Sequence, residues 1–129
     1  MFKKEITYTD YNDQKRTESF YFNLSKAELA ELQLTVDGGL QTYIQNIIDA
    51  KDGASMLKIF KDIILMSYGE KSLDGKRFVK SDEIRDGFAQ TEAYSNLFME
   101  LITDDKVAAE FINGILPSDL QPELQSVAN

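Results

Sequence analysis

The sequence predicts an α+β, mainly α, fold in which an N-terminal β-hairpin packs on about five or six helices. Three observations predict it. Apolar residues alternate in two short runs before Leu24. Helix-capping residues then recur ahead of apolar stretches, at Ser25, Ser81, Thr91 and Asp104. Behind each cap, apolar residues repeat at three- and four-residue spacing, which puts them on one side of a helix. One globular domain is expected over residues 1–117, with the hairpin at 2–23 and the helical part at 25–116. Residues 118–129 lack a strong period and read as a mobile tail, or alternatively as a short linear motif with Leu120, Leu124 and Val127 as anchors.

In the hairpin, Phe2, Ile6 and Tyr8 share one face of the first strand. Phe20 and Phe22 point inward from the second, with Thr17 and Ser19 outward. Asp10-Tyr11-Asn12-Asp13 supplies the turn. A lone hairpin is marginal in water, so its aromatic face must pack on the helices. Ser25 and Glu28 then stand at capping-box spacing, with Leu24 and Leu29 as the hydrophobic staple around them. A short helix follows, from Lys26 to about Leu34. Asp37-Gly38-Gly39 breaks the chain. The next helix, near 40–50, places Leu40, Tyr43, Ile44, Ile47 and Ile48 on one stripe and stops at Lys51-Asp52-Gly53.

The third helix, about 54–68, is the most apolar. Met56, Leu57, Ile59, Phe60, Ile63, Ile64 and Met66 cover more than half of its circumference, as expected of a central helix or one covered by a partner. Leu65 projects between Lys58 and Lys61, on the side expected to be wet. A polar connection follows at 69–80, with a turn at Asp74-Gly75 and a brief extended piece at Arg77-Phe78-Val79. Ser81 caps a short helix through Phe88. Thr91 caps another, with Tyr94, Leu97, Phe98 and Leu101 as its stripe. Asp104 or Asp105 starts the last, with Val107, Phe111 and Ile115 inward and Ala108, Ile112 and Leu116 beside them. Gly114 weakens that helix by about 1 kcal/mol relative to alanine, and Pro117 stops it. Phe20, Phe22, Ile44, Ile47, Phe60, Ile63, Ile64, Leu97, Phe98 and Phe111 are the expected core.

Composition excludes several functions. The 129 residues include no Cys and no His, which removes disulfides, thiolate metal sites, the usual general base and the usual zinc ligand. A net charge of −8 repels nucleic acid phosphates. It suits a soluble body whose partner is basic or apolar. The charge is uneven: Glu100, Asp104, Asp105, Glu110, Asp119 and Glu123 stand against Lys106 alone in the C-terminal stretch. Met1-Phe2-Lys3-Lys4-Glu5 has no long apolar run behind it and is not expected to be a signal peptide. No segment approaches the length of a membrane span, and a cytoplasmic protein is expected.

No chemical motif survives inspection. Gly69-Glu70-Lys71-Ser72-Leu73-Asp74-Gly75-Lys76-Arg77 faintly resembles a phosphate loop. However, it has one residue too many between the glycines, and Arg77 stands where the magnesium-binding hydroxyl belongs. Asp49-Ala50-Lys51-Asp52-Gly53 and Asp10-Tyr11-Asn12-Asp13 lack the ligand spacing of a calcium loop. No nucleophile–base pair is visible, and no enzyme is expected. No metal, nucleotide or other cofactor is expected either. Thermal melts with chelator, magnesium or ATP should coincide with the melt in buffer.

The wording of several blocks points elsewhere. These are Phe20-Tyr21-Phe22-Asn23-Leu24-Ser25-Lys26-Ala27-Glu28-Leu29, Ile59-Phe60-Lys61-Asp62-Ile63-Ile64-Leu65-Met66-Ser67-Tyr68-Gly69-Glu70-Lys71, Gly75-Lys76-Arg77-Phe78, Lys80-Ser81-Asp82-Glu83, Thr91-Glu92-Ala93-Tyr94-Ser95 and Ala109-Glu110-Phe111-Ile112-Asn113. In order and content they resemble the small tail assembly chaperones of long, non-contractile-tailed bacteriophages, especially those of Gram-positive hosts or prophages. The likeness runs to about Pro117.

The resemblance implies a non-catalytic protein of the host cytoplasm, absent from the mature virion. It implies binding to the tape measure protein, which is kept soluble while tail tube protein is recruited around it. It also implies a longer, frameshifted form of the same chain as a further partner. It carries over no contact residue. Leu65 is the candidate partner contact on the residue reading, set against the simpler reading that the hairpin or a later helix covers it. A small acidic regulatory or inhibitory module encoded by a phage or prophage, which binds another protein, fits the same composition.

Overall fold

The computed structural model describes residues 1–35, 45 and 53–117. Among these, strands β1 (Phe2–Thr9), β2 (Lys15–Phe22), β3 (Tyr68–Lys71) and β4 (Phe78–Val79) form one antiparallel sheet in the order β1-β2-β3-β4. The described helices are α1 (Lys26–Thr35), α2 (Gly53–Ser67), α3 (Asp82–Ala89), α4 (Glu92–Thr103) and α5 (Asp105–Ile115). The α+β class therefore holds. The helix predicted near 40–50, with Ile44 and Ile47, and the tail at 118–129 lie outside the described residues.

The hairpin forms as its pattern dictates. Phe2 pairs with Phe22 and Thr9 with Lys15. Asp10 closes the turn by accepting from the backbone N–H of Asn12 (2.8 Å) and Gln14 (3.0 Å). Asp13 takes the left-handed conformation at φ 60°, which a short polar side chain tolerates. The inner face carries Phe2, Ile6, Tyr8, Phe20 and Phe22, of which Ile6 is buried and Phe22 fully so. Thr17 and Ser19 are exposed on the other face. The helices cover the inner face, with α4 and α5 against β1 and α3 against β3.

Two features differ from the sequence expectation. The predicted lone hairpin is half of a four-stranded sheet, and the third helix stops at Ser67 rather than Tyr68. The reason is pairing across the chain. Tyr68 lies opposite Phe22 and Gly69 opposite Tyr21, so the backbone after Ser67 completes β2 instead of extending the helix. The Asn23 N–H also donates to the Ser67 carbonyl at 2.8 Å. The expected extended piece is real at Phe78–Val79, where it pairs with Glu70 and Lys71. The phosphate-loop look-alike is the β3–β4 hairpin, with Gly75 at φ 74° in its turn.

The caps fall where they were read. Ser25 Oγ accepts from the Glu28 N–H at 3.2 Å, while Glu28 Oε1 accepts from the Ser25 N–H at 2.8 Å. Leu24 and Leu29 are buried on either side. Ser81, Thr91 and Asp104 accept from the first turns of α3, α4 and α5 respectively. Leu116 is extended, as a residue before proline must be.

Of the predicted core, Phe22, Phe60, Ile63, Ile64, Leu97 and Phe111 are buried, while Phe20 and Phe98 are half-buried. Phe60 is 6% exposed, and its truncation to Ala should cost about 3–5 kcal/mol, measured by denaturant unfolding.

Gly114 has a packing role that its low helix propensity hides. A Cβ at this position would lie 2.3 Å from Phe2 Cδ1 and 2.8 Å from Phe2 Cγ. Gly114→Ala should therefore destabilise by about 1–3 kcal/mol from overpacking, rather than gain the ~1 kcal/mol that helix propensity alone promises. Chemical denaturation of Gly114→Ala alone and with Phe2→Ala checks this. The loss should disappear in the Phe2→Ala background, because the ring that obstructs the methyl is gone.

Candidate functional site

The predicted contact residue, Leu65, is half-buried and packs against the core. Leu57 reverses its own expectation. It was counted in the apolar arc, yet it is 42% exposed. The buried arc of α2 is Phe60, Ile63, Ile64 and Ser67, which centres the inner face C-terminal to Leu57. Lys58 and Asp62 form an ion pair at 2.9 Å on the exposed side. Exposed Leu57 thus lies on the same helix as half-buried Met56, Ile59 and Leu65, which pack against the core, and exposed Lys58 and Lys61.

Lys80 ties three elements together. Its ammonium donates to the Asn23 carbonyl at 2.7 Å, Glu28 Oε2 at 2.6 Å and the Met66 carbonyl at 3.1 Å. It uses all three N–H bonds and joins the end of β2, the start of α1 and the end of α2. Burial pushes the Glu28 carboxyl up, but hydrogen bonds from Lys80 and the Ser25 N–H, with the Lys80 charge, outweigh it and hold the group below its ordinary value. Sequence reading recognised Glu28 as a cap and missed Lys80, because its acceptors are backbone carbonyls far away along the chain.

A groove of about 390 Å³ opens between the sheet and α3. Half-buried Phe20 and Tyr68 and buried Phe88 line it together with Glu70, Glu83, Ile84, Gly87 and Thr91. Tyr68 stacks on Phe88 with centroids 4.1 Å apart and planes 12° from parallel. Phe20 meets Phe88 at 5.3 Å. Glu83, Ile84, Gly87, Phe88 and Thr91 follow helical spacing, so one face of the α3 segment lines the groove. Burial, then the charges of Glu70 and Glu18, push the Tyr68 phenol up to about 12. Among the described residues, Glu70 and Glu83 form no ion pair. Arg85, on the same helix, is held by Asp82 and Asp86. Nothing in the sequence reading singled out this groove. The available signal was Gly87, a glycine inside a short helix.

Among the described residues no group of three or more carboxylates could hold a metal ion, and no helix is long and apolar enough to cross a membrane.

A family model described as phage tail assembly chaperone matches residues 1–128. The chain belongs to this phage tail assembly chaperone family. No match to a curated protein or to a solved structure was found. Membership implies a non-catalytic assembly factor whose partners are proteins.

For such a chaperone the informative surface features are apolar groups that water can reach. Two of these, Tyr11 and Leu73, stand singly on hairpin turns, and single exposed apolar residues are ordinary. Met99 on α4 is 51% exposed, also isolated from the aromatic groove. Among the described residues, the groove and α2 are places where apolar groups gather beside charge.

Proposed function

We propose that this tail assembly chaperone binds its cognate tape measure protein, keeps it soluble and helps recruit tail tube protein around it in the host cytoplasm. The observation that carries this reading is the family match over residues 1–128. The physical character of the chain supports it. The net charge of −8 keeps an apolar-binding body soluble. Exposed and half-buried apolar groups on α2, Leu65 among them, offer contact to an amphipathic client helix.

Co-expression tests the proposal. Tape measure fragments should be soluble with the chaperone and aggregate without it. Leu65→Asp should reduce this rescue with the fold intact if Leu65 is in the contact; a lost fold would place Leu65 in the core and leave the partner untouched. Failure of the wild-type chain to bind or solubilise any part of the tape measure protein would remove the proposal.

A further inference from the structure

The geometry points to the Phe20–Tyr68–Phe88 groove as a seat for a cationic side chain, arginine the best fit, on an apolar segment of a partner protein. This rests on the chaperone reading and names the chemistry of one contact. Half-buried Phe20 and Tyr68 line the groove with buried Phe88 packed against them, and two carboxylates, Glu70 and Glu83, line it as well. An arginine suits both: its planar guanidinium stacks on ring faces, and its fork pairs with carboxylates. Among the described residues no lysine or arginine lines the groove, and the neighbouring Arg85 is engaged by Asp82 and Asp86.

Gly87 is an independent observation. A Cβ there would meet nothing within 4 Å. The fold therefore gains no close packing from a glycine that weakens its helix. At the centre of the groove-lining face, the missing side chain leaves the groove open. Gly114, by contrast, is required by the Phe2 ring.

The test uses the full chain, isotope-labelled, and two synthetic helical peptides. One carries leucine with arginine, the other leucine with glutamate in place of arginine. The arginine peptide should shift the resonances of Phe20, Tyr68, Ile84 and Phe88, and the glutamate peptide should not. Gly87→Trp should fill the groove, and Glu70→Gln with Glu83→Gln should remove its charge. Each should weaken the arginine peptide roughly tenfold or more, about 1.4 kcal/mol. If Gly87→Trp fails to fold, the glutamine pair decides.

Equal binding of both peptides, shifts centred elsewhere, or affinity unchanged in the variants would overturn the proposal. So would self-association of the chain that Gly87→Trp abolishes, because the occupant would then be a second copy. Tape measure protein provides a separate arm, in which a cognate fragment should also bind less well to the groove variants. Undiminished binding there overturns the groove as the partner's seat and leaves the chaperone reading intact. Groove binding of the arginine peptide with no tape measure binding to wild type removes the chaperone reading alone.

Discussion

Phe22→Ala is expected to destabilise the fold by about 3–5 kcal/mol, an effect matched among the truncations proposed for this chain by Phe60→Ala. Phe22 is 0% exposed and joins elements far apart in sequence. Its ring meets Phe111 at 5.2 Å, Tyr68 at 5.6 Å and Phe88 at 5.8 Å. Removing it leaves a cavity among other rings, which cannot collapse inward without breaking their own contacts. Urea unfolding should show a lower midpoint with an unchanged slope. Phe98→Ala should cost less, since Phe98 is only half-buried. Equal midpoints for Phe22→Ala and wild type would refute the central place given to this ring.

Lys80→Met should cost about 1.5–3 kcal/mol, the range for hydrogen bonds to charged groups. Methionine keeps most of the apolar stem and removes the ammonium. The carbonyls of Asn23 and Met66 and the Glu28 carboxylate all lose a donor at once. The Lys80 side chain is 23% exposed and that of Glu28 34%, so water softens the loss, and the full penalty of a broken buried pair does not apply. Lys80→Arg should not restore full stability, because a planar fork cannot converge on three acceptors as an ammonium does.

The pair also sets a pH dependence. The folded state holds Glu28 below its ordinary pKa. Its contribution is therefore complete above the unfolded value of about 4.3 and is lost as pH falls through the lower folded value. The stability gap between wild type and Glu28→Gln should be constant near neutrality and narrow below about pH 4. Melts across acid pH measure it, and a gap that widened on acidification would contradict the lowered pKa.

The hairpin, the caps and the helix starts were legible because each depends on residues near one another in the chain. Ser25 with Glu28, Ser81 with Ile84, and Thr91 with Tyr94 all bond within three residues. The helix stripes were legible for a related reason: period alone decides which side of a helix is apolar. Strand β3 was not legible. Tyr68-Gly69-Glu70-Lys71 has no alternation to read, and it is a strand only because Tyr21 and Phe22 lie beside it. The exposure of Leu57 was not legible for the same kind of reason. A helical wheel ranks faces by composition, while the neighbouring elements decide which part of the wheel is covered.

Thus the sequence by itself determined the α+β class, the turn and cap positions, most of the core and the family likeness. These rest on short-range hydrogen bonds, on apolar period and on the order of residues. Tertiary structure alone decided that the hairpin becomes a four-stranded sheet, that Lys80 is a three-way tie, and that Gly114 is required while Gly87 is not. It alone brought Phe20, Tyr68 and Phe88 together in one groove with Glu70 and Glu83. Such features depend on which distant residues meet, and that is fixed only when the helices close over the sheet.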